Sequence, residues 1–110
     1  MNPWETQLRK GVVELAVLAS IARGESYGYQ IVERLRDLDG LALTESTVYP
    51  VLTRLARDGA LAVRLEPSPT GPTRRYYRLT PEGQARLSQM AASFKTVCQS
   101  ITHLLERTQS

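Results

Sequence analysis

Apolar residues recur at three- and four-residue spacing through residues 5–23, at Leu8, Val12, Leu15, Ala19 and Ala22, which predicts one long amphipathic helix ending at Arg23-Gly24. Ser26 is placed to cap a second helix over residues 27–38, with Ile31, Leu35 and Leu38 on its buried face and Asp39-Gly40 as its breaker. Thr44 is the next N-cap candidate, and Glu45 suits the positively polarised first turn that follows. Val48, Val51, Leu52, Leu55 and Ala56 then mark a third helix docked on a core and closed by Gly59. Pro50 lacks a backbone donor, so it either kinks that helix or moves its start toward Pro50.

After Gly59 the period drops to two. Leu61, Val63 and Leu65 alternate with Ala62, Arg64 and Glu66, as in a half-buried strand. Residues 67–72, Pro-Ser-Pro-Thr-Gly-Pro, read as a stiff turn. A second strand from Arg74 to Leu79 puts Arg75, Tyr77 and Leu79 on one face and Arg74, Tyr76 and Arg78 on the other. Thr80-Pro81-Glu82 opens a last helix with a capping hydroxyl, a proline at the first position and a carboxylate near the positive dipole end.

That last helix is expected to run to about Arg107. Leu87, Met90, Phe94, Val97, Ile101 and Leu104 fill the a and d positions of three heptads, and Ala91, Cys98 and Leu105 widen the stripe. At 1.5 Å per residue such a helix is roughly 40 Å long, more than a small domain can cover. A second copy of the chain is the simplest partner for the seam, because most soluble oligomers are symmetric homodimers. The alternative is a helix folded back on the first one. The expected fold is mainly α with a small β-hairpin, arranged as a head over residues 1–80 and a dimerisation helix over residues 81–110.

Charge sharpens this picture through its distribution rather than its sum of +3. Residues 1–43 carry five basic and six acidic groups, whereas residues 44–80 carry six arginines against Glu45, Asp58 and Glu66. The positive excess thus falls on the third helix and the hairpin, which fits a polyanionic partner. The order helix, helix, turn, helix, hairpin is that of a winged helix-turn-helix, in which a helix enters the major groove of duplex DNA beside a basic wing.

Once the apolar positions of the third helix are assigned, Glu45, Ser46, Thr47, Tyr49, Thr53, Arg54 and Arg57 remain. Ser46, Thr47 and Tyr49, near the N-terminus, are candidates for base edges or phosphates. Arg54 and Arg57, further along, suit phosphates, as do Arg74 and Arg75 beside the wing tip.

The runs Tyr27-Gly28-Tyr29-Gln30-Ile31, Ser46-Thr47-Val48-Tyr49-Pro50-Val51-Leu52 and Arg54-Leu55-Ala56-Arg57-Asp58-Gly59 resemble the PadR family of transcription repressors. Residues 74–83, Arg-Arg-Tyr-Tyr-Arg-Leu-Thr-Pro-Glu-Gly, are similar to that family's wing and its junction with the C-terminal helix. The resemblance spans about residues 8–107 and is closest to the smaller subgroup with a single C-terminal helix. It implies a homodimeric repressor on a palindromic operator in double-stranded DNA, with recognition helices about 34 Å apart, one turn of DNA. It also accommodates Pro50 early in the recognition helix and gives the Tyr29 hydroxyl a phosphate to touch.

Some multidrug-sensing members of the subgroup hold planar apolar ligands between subunits. This implies a small aromatic or phenolic effector, with Phe94 and Trp4 as candidate pocket walls, although packing in the dimer is the more usual role for such residues.

Other classes fit poorly. A nucleophile needs an adjacent base and an orienting group, and His103 and Cys98, each alone of its kind, supply none, so no enzyme, metal or cofactor is expected. The run from Val12 to Ala22 is too short and too interrupted to span a bilayer, so no membrane partner is expected. With one cysteine and no signal-like start, a cytoplasmic location is expected. The remaining rival is a winged helix serving as a protein-interaction module without DNA binding.

Overall fold

The computed structural model describes residues 2–109. The described residues form helices α1 (Pro3–Lys10), α2 (Val13–Ala22), α3 (Gly28–Arg36), α4 (Glu45–Arg57) and α5 (Pro81–Gln109), with strands β1 (Ser26–Tyr27), β2 (Leu61–Ser68) and β3 (Gly71–Leu79). The strands make an antiparallel sheet in the order β1-β3-β2. This is the mainly helical fold with a β-hairpin and a long last helix that the pattern predicted, and β1 adds a third strand to the hairpin.

The first predicted helix is in fact two, broken at Gly11-Val12, and its buried face is not the predicted one. Val13, Val17, Leu18 and Ile21 enter the core, while Leu8, Ala19 and Ala22 are exposed. The reason is that residues 12–22 are apolar nearly all round, so α2 can bury two faces and periodicity cannot rank them. One face meets α3, α4 and β3, and the other meets α5. Gly11, a poor helix former, permits the break. Arg9 Nε then donates to the Gly40 carbonyl at 2.9 Å and ties α1 to the loop after α3.

The core is completed by Ile31, Val32 and Leu35 of α3, Val48, Leu52 and Leu55 of α4, and Leu43, Ala60, Leu61 and Tyr77. Leu38, predicted to be buried, is instead half-exposed, because α3 stops at Arg36. Ser26 does not cap α3. It lies in β1, where its hydroxyl donates to the Gly24 carbonyl and accepts from Arg34. Helix α4 runs through Pro50, whose missing N–H leaves the Ser46 carbonyl without its i−4 bond. At Gly59 the chain takes φ +84°, the left-handed turn that ends helices, and Ala60 N–H bonds back to the Leu55 carbonyl.

The hairpin is longer than predicted, since β2 and β3 take in Pro67-Ser68 and Gly71-Pro72 and leave Pro69-Thr70 as the turn. The predicted facing is right: Leu61, Val63 and Leu65 pair with Leu79, Tyr77 and Arg75. Burial fades along it, however. Leu61 is buried, whereas Val63 and Leu65 are exposed, because the hairpin projects beyond the core.

Helix α5 is anchored at its root. The Thr80 hydroxyl accepts from Gly83 N–H and donates to the Gly59 carbonyl, and Thr80 N–H bonds the Ala60 carbonyl. Gly83 is buried against that same carbonyl, where any Cβ would collide with backbone oxygen. Leu87 and Met90 pack on the head's own core. Six of the predicted seam positions therefore divide, with Phe94, Val97, Ile101 and Leu104 left exposed.

Candidate nucleic-acid interface

Helix α4 lies at the surface with Ser46, Thr47, Thr53 and Arg57 exposed and its apolar positions spent on the core. Its flank toward the sheet carries Tyr49. The Tyr49 ring lies over Gly28, at the first turn of α3, so closely that a Cβ there would stand 2.8 Å from Cε1. A methyl group there would push the Tyr49 ring aside. Partial burial, and then the nearby Glu45 carboxylate, raise the Tyr49 pKa above the ordinary phenol value, which keeps its hydroxyl protonated as a donor.

Between this flank and the hairpin runs an open cleft of about 760 Å³, lined by Tyr27, Tyr29, Tyr49, Thr53, Arg74 and Arg75 among others. The fold thus brings together five of the predicted contact residues, Tyr29, Tyr49, Thr53, Arg74 and Arg75, in one concave surface. Ser46 lies on a neighbouring shallow depression with Arg36, Glu45 and Pro50. Arg57 stands at the far end of α4.

Several predicted residues have intramolecular partners: the Ser46 and Thr44 hydroxyls are 3.0 Å apart, and the Thr53 hydroxyl donates to the Tyr49 carbonyl at 3.1 Å. The Glu33 carboxylate, one helical turn on from Tyr29, raises the Tyr29 pKa above the ordinary phenol value. Arg54 turns toward α2, where its Nη1 stands 2.9 Å from Glu14 Oε1.

The hairpin's other face carries a stack of cations on aromatic rings that the sequence pattern did not single out, and two of its members, Tyr27 and Arg74, also line the cleft. Tyr27 and Tyr76 are 5.6 Å apart between centroids, with Arg74 over the Tyr27 ring at 4.8 Å and Arg64 over Tyr76 at 4.6 Å. Arg64 is also clamped by Glu25 at 2.7 Å and Glu66 at 2.8 Å. Its hydrogen bonds to Glu25 and then Glu66 raise its pKa, and the reciprocal bond lowers that of Glu25. Arg64 is therefore neutralised locally, whereas Arg75 projects from the cleft-side face. The one signal for this brace was the alternation that sets Arg64 across from Tyr76; β1, at two residues, is too short to register as a period.

A second groove, of about 640 Å³, separates α1 and α2 from α5 and is lined by Leu8, Val12, Leu15, Met90, Phe94 and Val97 among others. Leu8, Val12 and Leu15 of the predicted first-helix stripe thus line a groove. Trp4 is 64% exposed on α1 and Cys98 half-buried at the groove's edge. Among the described residues no helix is long and apolar enough to cross a membrane, and no cluster of His, Cys, Asp or Glu is placed to hold a metal.

Comparison with known proteins agrees with this architecture. The model of the transcriptional regulator PadR-like family matches residues 17–89. A transcriptional regulator of Mycobacterium tuberculosis is 34% identical over 83 residues, covering 76% of each protein. The crystal structure of a PadR family transcriptional regulator from Eggerthella lenta superposes with a TM-score of 0.80 at 34% identity, over 92% of this chain and 88% of that one. That of a PadR-like regulator from Bacillus cereus gives 0.79 at 31% identity, over 90% and 96%. The chain belongs to the PadR-like family of transcriptional regulators, and its head is a winged helix.

Proposed function

We propose that this regulator acts as a homodimeric repressor that binds a palindromic operator in double-stranded DNA. In this reading residues 1–80 form the DNA-binding head and residues 81–110 the dimerisation helix. Ser46, Thr47 and Thr53 of α4 face base edges and phosphates in the major groove, Tyr49 donates from the cleft wall, and Arg57 takes a phosphate further along. Arg74 and Arg75 hold the wing to a neighbouring backbone. The observation that carries the reading is the concave, hydroxyl- and arginine-lined surface between α4 and the wing.

Dimerisation is supported by the exposed ridge of Phe94, Val97, Ile101 and Leu104, whose heptad spacing suits a second α5. Trp4 and Leu8 on the neighbouring α1 extend the apolar surface available to the partner. A small apolar or phenolic effector entering the groove beside Phe94 would release DNA by favouring a different separation of the heads. Its effect is bounded by its differential affinity for the two arrangements.

The test is equilibrium binding of duplex DNA across a salt series. The double variant Arg74→Ala/Arg75→Ala should weaken binding to all sequences and flatten the salt dependence by up to about two units of slope. An unaltered slope removes the wing from the interface. Salt-insensitive or absent binding by the natural chain favours a protein-interaction module.

A further inference from the structure

Glu14 lies in the first turn of α2, where α2, α4 and α5 meet, and it is the least exposed member of a four-residue charge cluster. Its Oε1 is 2.9 Å from Arg54 Nη1 on α4, and its Oε2 is 3.7 Å from Arg86 Nη1 on α5. The same Arg86 nitrogen stands 3.8 Å from Asp58 Oδ2, at the C-terminal end of α4. Two points of the candidate recognition helix are thus tied to one carboxylate and one guanidinium, and the guanidinium belongs to the helix whose far half carries the exposed ridge.

We propose that Glu14 is a positioning residue that holds Arg54 back from DNA, and that Arg86 sets the strength of that hold from the root of α5. This rests on the reading of α4 as the DNA-facing helix. Arg54 is 45% exposed, on a flank that a phosphate can approach, but its Nη1 is already given to Glu14. A phosphate oxygen and Glu14 compete for the same donor.

Arg86 tips the competition. It lies beyond hydrogen-bond length from both carboxylates and is balanced between them. Moving it toward Glu14 offsets that carboxylate's charge and frees Arg54, and moving it toward Asp58 does the reverse. Arg86 lies one turn past Thr80-Gly83, next to Leu87, so a tilt of α5 against α2 changes these distances first. The cluster makes the pose of the stem a determinant of the head's charge.

The experiment uses the full chain and a random-sequence duplex across a salt series. Glu14→Gln removes the charge and keeps the shape. It should bind roughly two- to fivefold tighter at low salt, the scale of one exposed ion pair, with a slope steeper by about 0.9, one added phosphate contact. Arg54→Gln should erase that gain, so that the double variant binds as Arg54→Gln does. Arg86→Gln should weaken binding in the natural chain and change nothing in the Glu14→Gln background.

Binding by folded Glu14→Gln that equals or falls below that of the natural chain overturns the proposal. So does an equal loss from Arg86→Gln in both backgrounds, which is what the mere removal of a cation gives. The Arg86→Gln and Arg54→Gln comparisons stand even if Glu14→Gln fails to fold, because a hold exerted by Glu14 makes Arg86→Gln silent once Arg54 is removed. A natural chain that binds no duplex sinks the DNA-binding reading itself.

Discussion

Leu87 and Met90, at the root of α5, pack against the head, whereas Phe94, Val97, Ile101 and Leu104, continuing the same heptad register, are between 44% and 62% exposed. The two stretches do not differ in pattern or in residue type. They differ in what lies beside them: the first packs against the head's core, and most of the second faces α1 and α2 only across an open groove. A helix of 29 residues is about 44 Å long, and the molecule measures 60 Å along its longest axis against 31 and 20 Å across. Periodicity therefore marks which side chains favour burial, and chain geometry decides whether the same chain covers them.

The comparison can be broken at either end. Phe94→Asp or Val97→Asp places a charge in the exposed half, and the expected outcome is loss of the dimer with the head intact, read by sedimentation together with thermal unfolding. Association that survives either change assigns the seam elsewhere. Gly83→Ala attacks the root instead. The added methyl meets the Ala60 carbonyl, and because backbone must give way the expected loss is about 3 kcal/mol of unfolding free energy by urea denaturation. A change below 1 kcal/mol would mean that the junction is loose.

Tyr49→Ala leaves α5 untouched and should lower operator affinity about tenfold, the scale of one well-made contact of ~1.4 kcal/mol. Unchanged affinity would place DNA on another face of α4. The smallest effect is expected at the Glu25–Arg64 clamp. Because the bond to Arg64 lowers the Glu25 pKa, its contribution is present above the unfolded carboxylate's pKa and fades as the pH falls through the lower folded value. Both groups are exposed, so Glu25→Gln should shift acid unfolding only slightly.

Much of this molecule was legible from its sequence where one face of an element is apolar and the other is not. Helix α4 is the clear case, with Val48, Leu52 and Leu55 buried and Ser46, Thr47 and Arg57 outside. The junction was legible too, because Thr80-Pro81 is a capping signal with a mechanism. Legibility failed in α2, where apolar residues on two faces carry two different interfaces. It failed again along β2, where alternation gave the correct facing for Val63 and Leu65 but could not show that the core ends before them.

The candidate site divides in the same way. The residue types of α4 and the wing were readable, but the pairing of Arg54 with Glu14, 40 positions earlier in the chain, has no local signature. Neither has the Tyr49–Gly28 contact, which depends on how α3 and α4 cross.

The arrangement of two heads on one shared stem is tested most directly by the stoichiometry of the complex with duplex DNA. Sedimentation of the chain with a duplex carrying a selected palindromic site should give two chains of 12.3 kDa per duplex, bound in a single cooperative step. One chain per duplex, or a second chain that binds independently of the first, would contradict the account.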